Sequence, residues 1–226
     1  SEPGSTARYF AKRDDKPDFT EHVDGQLEDR GHQIFNYVSE YTIKHGLTGA
    51  PVQYGLLDNA RRGRLGLSFA DYRRQMAELF APMSKVAAKN PFSASPVERS
   101  VEEVETVTDD NRMICDPYPR LLVARDQVNQ GAAAVMMSVD AARRLGVPEG
   151  KWVYLHGHSD MVEQGLLERV DLGASPATVH AAQEALRVAE IGVDDIATFD
   201  LYSCFPFPVF VMCEALGIDG DDPRGL

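Results

Sequence analysis

The stretch Ile196–Leu216, IATFDLYSCFPFPVFVMCEAL, decides how the rest of the chain is read. Ile196, Thr198 and Asp200 alternate with Ala197, Phe199 and Leu201, which predicts a short strand. Tyr202, Ser203 and Cys204 follow on a tight turn. A helix is predicted from Pro206 to Leu216. Prolines at 206 and 208 suit a first helical turn, where a missing N–H costs little. The helix is apolar on nearly every side, the pattern of a buried helix. Three polar side chains are thus held where a strand ends and a buried helix begins. Amides at a helix start can receive an anion or an oxyanion, although an ordinary strand–helix turn has the same layout.

Upstream of this stretch the signals alternate. Ser175-Pro176 opens a helix to Ala189, with Val179, Ala182, Leu186 and Ala189 as its core stripe and Gly192 closing it. Trp152 to His156 reads as a strand. Gly131 to Met137, GAAAVMM, shows no polar alternation and reads as a strand buried on both faces. Ser138 caps a helix over Val139 to Leu145, ended by Gly146. Residues 126–226 therefore predict an α/β layered core.

Residues 1 to about 125 have another character. Residues 1–25 are polar and broken by Pro and Gly, an extended segment. Helices are predicted over Gln26 to His45, over Pro51 to Arg62, and from Ser68 onward. Ser68 to Asp71 resembles a capping box with Asp in place of Glu. Pro82 should kink that helix and Asn90-Pro91 should end it. A Ser/Pro-rich linker, Pro91 to Pro96, leads to a short acidic helix or turn at Val101 to Val107. Arg112 to Cys115 reads as a strand, broken by Asp116-Pro-Tyr-Pro119, with a second short strand over Leu121 to Ala124.

The bulk numbers narrow the function classes. With 226 residues, 43% hydrophobic and 26% charged, the chain can bury a sizeable core. Its net charge of −12 argues against nucleic-acid binding through phosphates and against docking on an anionic membrane. The three cysteines, Cys115, Cys204 and Cys213, form no CxxC pair, so neither a disulfide framework nor a zinc cluster is expected. A reducing, cytoplasmic setting fits. No apolar run has the length of a membrane span, and no signal peptide is visible. The start at Ser1 and the end just after a helix suggest a piece of a longer polypeptide.

Three stretches together resemble the thiolase superfamily, closest to its sterol-carrier-protein type. Arg112-Met-Ile-Cys-Asp-Pro117 is similar to that branch's RMIADP run. Val128-Asn-Gln-Gly-Ala-Ala-Ala-Val135 is similar to its NDGAAAV strand. Asp200-Leu-Tyr-Ser-Cys-Phe-Pro206 falls where classical thiolases have NEAFA and the sterol-carrier type has HDCFS. Order and spacing agree over roughly residues 50–226. The resemblance implies an α/β fold of the thiolase type, present in part. Residues 1–125 would be its helical, irregular loop domain. Residues 126–148 would be the last strand and helix of the first half, and 149–226 the front of the second half.

The resemblance also implies a chemistry, acyl transfer on coenzyme A thioesters by Claisen condensation or thiolysis. Such chemistry needs a nucleophile, a base and an oxyanion hole. The family's nucleophilic cysteine lies upstream of the loop domain, and its Gly-His-Pro histidine and second cysteine lie downstream of the third motif. None of the cysteines here has that context, so this chain alone is expected not to catalyse thiolysis. Tyr202 takes the place of the Asn or His that serves the oxyanion hole. A phenol can donate there directly, or act as acid or base if its pKa were lowered, as tyrosines do in thiolase-like aldolases; otherwise it is a packing tyrosine. This leaves three readings: a thiolase-type acyltransferase, an acyl-CoA retro-aldolase using Tyr202, and a non-catalytic thiolase-like partner subunit.

The remaining candidates follow from the same resemblance. Ser203 stands at the motif's Asp and is either catalytic or a helix cap. Cys204 matches the motif's Cys and reads as a small buried residue; Cys213, inside the buried helix, reads as core, and Cys115, after a strand, as structural. Asn129, Gln130 and Gly131 fall near the family's pantetheine region, or form a simple turn. Gln53 and Tyr54 lie on a helix that faces substrate in relatives. Arg61, Arg62 and Arg64 either meet CoA phosphates or form a solvent-facing helix end. His156, His158 and Asp160 lack a firm set of ligands, and no metal is expected. No cofactor is implied beyond CoA or acyl-CoA as substrate, and relatives are usually dimers or tetramers.

Overall fold

The computed structural model of the chain describes residue 25 and residues 39–124 and 132–225. Nearly all of the expected extended segment 1–25 and most of the helix expected from Gln26 lie outside the described residues. So do Asn129, Gln130 and Gly131.

The upstream helices follow their local signals. Helix α1, Glu40–Lys44, starts at Ser39, whose Oγ accepts from the Thr42 N–H at 3.2 Å, and stops before Gly46 at φ 74°. Helix α2, Ala50–Leu65, has Pro51 in its first turn and closes on Gly66 in the left-handed region. Helix α3, Phe69–Ala87, starts where Ser68 Oγ accepts from the Asp71 N–H at 3.1 Å. It runs through Pro82 and stops shortly before Asn90. Helix α4, Val101–Glu105, carries a complete capping box between Ser100 and Glu103.

Strand β1, Met113–Cys115, pairs antiparallel with β2, Tyr118–Pro119, with Cys115 opposite Tyr118. Asp116-Pro117 is a cis peptide between them. The antiparallel pairing has the Asp116–Pro119 run folding the strand back on itself as well as ending it. The second strand expected at Leu121 to Ala124 is instead a 3₁₀ turn over Arg120–Leu122. Its backbone donors are already used: Arg120 N–H reaches the Arg112 carbonyl and Leu121 N–H reaches Asn111 Oδ1. Buried Asn111 also donates to the carbonyls of Glu103, Val104 and Thr106, which ties the end of α4 to the hairpin.

Downstream come α5, Val139–Arg144, α6, Pro176–Ala189, and α7, Pro206–Leu216. Ser138 caps α5 through the Ala141 N–H. Of the expected stripe on α6 only Ala182 is fully buried; Val179, Leu186 and Ala189 are half-buried. Glu190, not Gly192, closes α6, in the left-handed region at φ 57°. Side chains other than Gly, Asn and Asp seldom adopt that conformation.

The strands expected downstream do not pair. Residues 132–137, 152–156 and 196–201 run without ladder hydrogen bonds, and β1–β2 is the one sheet among the described residues. The stretch read as buried on both faces is open instead: Val135 is 80% exposed and Met136 82%. A strand is buried by neighbouring strands and covering helices, and the described residues supply none for it. The sequence pattern marks a segment suited to a sheet but not the presence of its partners.

The core gathers around α3 and α7. Tyr72, Met76 and Leu79 of α3 pack with Tyr118, Leu122, Phe205, Val209 and Phe210. The opposite side of α7, Phe207 and Val211, packs on Leu57. Burial on two sides explains why α7 is apolar all round, and each large side chain so buried contributes about 1.5–3 kcal/mol. No helix among the described residues is long and apolar enough to cross a membrane.

One close approach fixes the hairpin on α2. A Cβ added at Gly55 would stand 2.6 Å from the Asp116 carbonyl oxygen, a backbone atom. Gly55→Ala is expected to push the hairpin off the helix and cost about 1–3 kcal/mol, as overpacking does, read as a lower urea midpoint with an unchanged slope. Wild-type stability in that variant would show that the hairpin does not need this contact.

Candidate functional site

The Tyr202–Cys204 turn enters α7 as the sequence predicts, but the helix start differs from expectation. The N-cap is Phe205, which offers no side-chain hydrogen bond. Of the first three helical amides, Pro206 and Pro208 have no N–H. The remaining one, Phe207, lies where its amide favours the charged form of the buried Asp58 carboxylate. The helix start thus has few amides to offer an oxyanion, because two of its first three residues are prolines.

Tyr202 is 87% exposed, so it is not a packing tyrosine. Its hydroxyl lies 3.6 Å from Cys204 Sγ. That hydrogen bond, together with the thiol's charge on ionisation, raises the phenol above its ordinary value of 10.0. At neutral pH Tyr202 is therefore a neutral hydrogen-bond donor and not a base. The lowered pKa that a base would require is absent.

Ser203 holds the turn together. Its Oγ donates to the Phe205 carbonyl at 2.7 Å and accepts from the Phe205 N–H at 3.1 Å. Tyr54, half-buried in the first turns of α2, stacks on Phe205 with ring centroids 4.5 Å apart. Burial, then the neighbouring Cys204, raises the Tyr54 phenol, with Arg169 opposing. The structure thus brings Tyr54, Cys204 and Phe205 together beside Tyr202. Asn129 and Gly131, the other substrate-binding candidates, lie outside the described residues. Gln53 is occupied, donating to the Leu47 carbonyl at 3.1 Å.

Of the basic cluster, Arg61 is buried, Arg62 half-buried and Arg64 exposed. Arg61 is buried and pairs with Glu214 of α7 at 2.8 Å, with its guanidinium 4.2 Å above the Phe210 ring. Arg64 reaches the same carboxylate at 2.9 Å, and Arg62 donates to the Leu67 carbonyl and lies over Phe69. For Arg61, neither CoA-phosphate contact nor a solvent-facing position holds; a long cation on the buried stripe is kept by its partner. Cys115 donates to the Pro51 carbonyl at 3.2 Å and Cys213 is core, both as expected. Among the described residues no three His, Cys, Asp or Glu side chains converge as a metal site. Two open grooves, of about 580 and 590 Å³, lie near the C-terminal end of α7, and neither is lined by Tyr202, Ser203 or Tyr54.

Sequence reasoning missed Asp58. It is fully buried and accepts hydrogen bonds from the hydroxyls of Tyr72 and Tyr118. Burial pushes its carboxyl up to about 6 from 3.8, against the pull of both phenols, Arg61 and the Phe207 amide. A signal was available: Tyr54, Leu57, Asp58 and Arg61 sit at i, i+3, i+4 and i+7, so two charges of opposite sign lie on the inward stripe.

Asp58 makes stability depend on pH. It binds its proton more tightly folded than unfolded. Its contribution is therefore fully present below about pH 4 and lost as pH rises through about 6. Urea unfolding from pH 4 to 7 should show wild type losing ~3 kcal/mol relative to Asp58→Asn across that window; parallel curves would remove this role.

No family model matches the chain. It is 29% identical over 180 residues to an acetyl-CoA acetyltransferase of Methanothermobacter thermautotrophicus, covering 79% of this chain and 43% of that protein. It superposes on the crystal structure of a monomeric SCP2-thiolase-like protein type 1 from Mycobacterium smegmatis with a TM-score of 0.80 and 73% identity. That match covers 84% of this chain and 42% of the other. The chain thus spans about two fifths of the length of these relatives, and its fold is thiolase-like, mixed α/β and mostly helical.

Proposed function

We propose, from the premise that this chain is a stretch of thiolase-superfamily sequence, that it serves a thiolase-type acyltransferase acting on coenzyme A thioesters. The reaction is carbon–carbon bond formation or cleavage at the thioester. The observation that carries this reading is the exposed, protonated Tyr202 phenol on the turn that begins the buried helix α7. A neutral phenol donates a hydrogen bond to the thioester enolate oxygen as charge develops there. Ser203 shapes the turn, and Tyr54 lines the approach. Asn129 and Gly131 remain proposed contacts to the pantetheine arm. No cofactor is called for beyond the CoA thioester as substrate, and the setting is cytoplasmic. The division at about 125 and 148 into loop domain and two partial halves belongs to the same reading.

A second reading has a specific observation behind it. The phenol that stands where relatives carry Asn or His suits a retro-aldolase, in which Tyr202 would donate to the enolate left by cleavage. Its raised pKa assigns it the acid's part, so the base that takes the β-hydroxyl proton is another group. As for assembly, the Mycobacterium neighbour is described as monomeric, which favours a monomer here over the dimer or tetramer that the resemblance implied. Light scattering of the purified protein tests this.

The deciding experiment assays the full-length protein for acetoacetyl-CoA thiolysis and for aldol cleavage of a β-hydroxyacyl-CoA. Thiolysis supports the first reading and aldol cleavage alone supports the second. Activity in neither, with acyl-CoA still bound, would leave a non-catalytic thiolase-like partner and overturn both.

A further inference from the structure

The proposed chemistry leaves one buried ionisable group unused, and its contacts lead to the reacting turn. Asp58 lies in the middle of α2 with no exposed surface. Its carboxylate collects hydrogen bonds from two elements, the Tyr72 hydroxyl on α3 and the Tyr118 hydroxyl on β2, and the Phe207 backbone on α7 adds a smaller pull toward the charged form. Arg61, one turn further along α2, adds its charge. A buried carboxylate is tolerated only when its lone pairs are filled, and these donors fill most of them.

The link to the start of α7, through Tyr118 and Phe205, is the informative one. With prolines on both sides, Phe207 is the first residue of α7 that has an amide to give. The N-cap residue Phe205 gives the helix no side-chain cap, so its start is held through the packing of Phe205. Tyr118, held by the Asp58 carboxylate, lays its ring against Phe205 with centroids 5.4 Å apart. Phe205 is bound through both its backbone N–H and its carbonyl to Ser203 Oγ. A continuous set of hydrogen bonds and ring contacts thus runs from Asp58 to the residues that carry the Tyr202 phenol and the Cys204 thiol.

We propose that Asp58 is the positioning residue of the Tyr202–Cys204 turn: by holding Tyr118 against Phe205 it fixes the start of α7, and so the direction in which Tyr202 and Cys204 project. Its importance for catalysis rests on the reading of that turn as the reacting site. The anchoring itself can be tested without any turnover.

The test is alkylation of Cys204 by iodoacetamide in the full chain, followed residue by residue by peptide mass analysis. Asp58→Asn keeps the shape but presents an amide N–H₂ where the site supplies donors. Cys204 should then alkylate about tenfold faster, as expected when a local opening becomes easier by a tenfold factor. Tyr118→Phe, which removes one donor and keeps the ring on Phe205, should give a smaller rise. Val104→Ala on α4 removes apolar volume from the same core without touching these hydrogen bonds and ring contacts, and should leave the rate within about twofold. An unchanged Cys204 rate in folded Asp58→Asn overturns the proposal, as does an equal acceleration in Val104→Ala. Should Asp58→Asn not fold, an unchanged rate in Tyr118→Phe overturns it. In turnover assays Asp58→Asn should lower kcat with KM nearly unchanged, since the displaced group acts in the transition state. If alkylation responds while Tyr202→Phe leaves turnover untouched, the anchoring stands and the catalytic reading of the turn falls.

Discussion

Tyr202→Phe is expected to lower kcat by about 10²–10³-fold in the full-length protein, the cost of removing one oxyanion donor. KM for the acyl-CoA should move little, because the hydrogen bond strengthens only as the enolate charge develops. The magnitude follows from the lack of a substitute. The α7 start offers few amides, since prolines occupy 206 and 208. Ser203 has both its donor and its acceptor engaged with Phe205. Phenylalanine keeps the ring and removes only the hydroxyl from a side chain that is already exposed, so folding should be unaffected and a circular dichroism melt should match wild type. If Tyr202→Phe leaves both thiolysis and aldol cleavage unchanged, the role given to this phenol is wrong.

Asp58→Ala should lose about 3–5 kcal/mol of stability at pH 7, a large part of the ~5–15 kcal/mol a domain usually has. Tyr72 and Tyr118 are both fully buried, and each would keep a hydroxyl with no carboxylate to receive it. An orphaned buried donor costs about 1–3 kcal/mol. Arg61 would keep Glu214 but lose the favourable charge of Asp58. Relief from burying a carboxylate offsets part of this, and for that reason Asp58→Asn should cost less than Asp58→Ala. Urea denaturation of the two variants checks the order. A loss under about 1 kcal/mol for Asp58→Ala would mean that the phenols find other partners.

How much of this was legible in the sequence depends on whether a residue's fate is settled locally. Ser68 with Asp71, Ser100 with Glu103, Pro51 and Gly66 each mark a helix boundary within a few residues, and the helices fall close to where those signals put them. The apolar run of α7 likewise declares its own burial. The strands are different, because GAAAVMM and the Trp152 stretch describe a fitness for pairing that only another segment can satisfy. Leu121 to Ala124 failed for a related reason: distant Asn111 and Arg112 had already claimed the nearby donors. At the site, the motif order pointed to Tyr202, but neither the hold on the helix start nor the burial of Arg61 could be read without Asp58 and Glu214. Those partners are 149 and 153 residues distant from Phe207 and Arg61 respectively, by subtraction of their positions.

The unpaired extended segments also bear on how copies of this chain meet in solution. Val135, Met136 and Val153, at 80%, 82% and 96% exposure, lie beside backbone groups with no ladder partner among the described residues, a surface that can template pairing with a second molecule. What stands against such pairing is mutual repulsion between chains of net charge −12. That repulsion reaches only about 8 Å at physiological ionic strength and shortens as salt is added. Colloidal behaviour is therefore set by the same acidity that speaks against phosphate binding, with surface charge guarding segments that a sheet would otherwise cover.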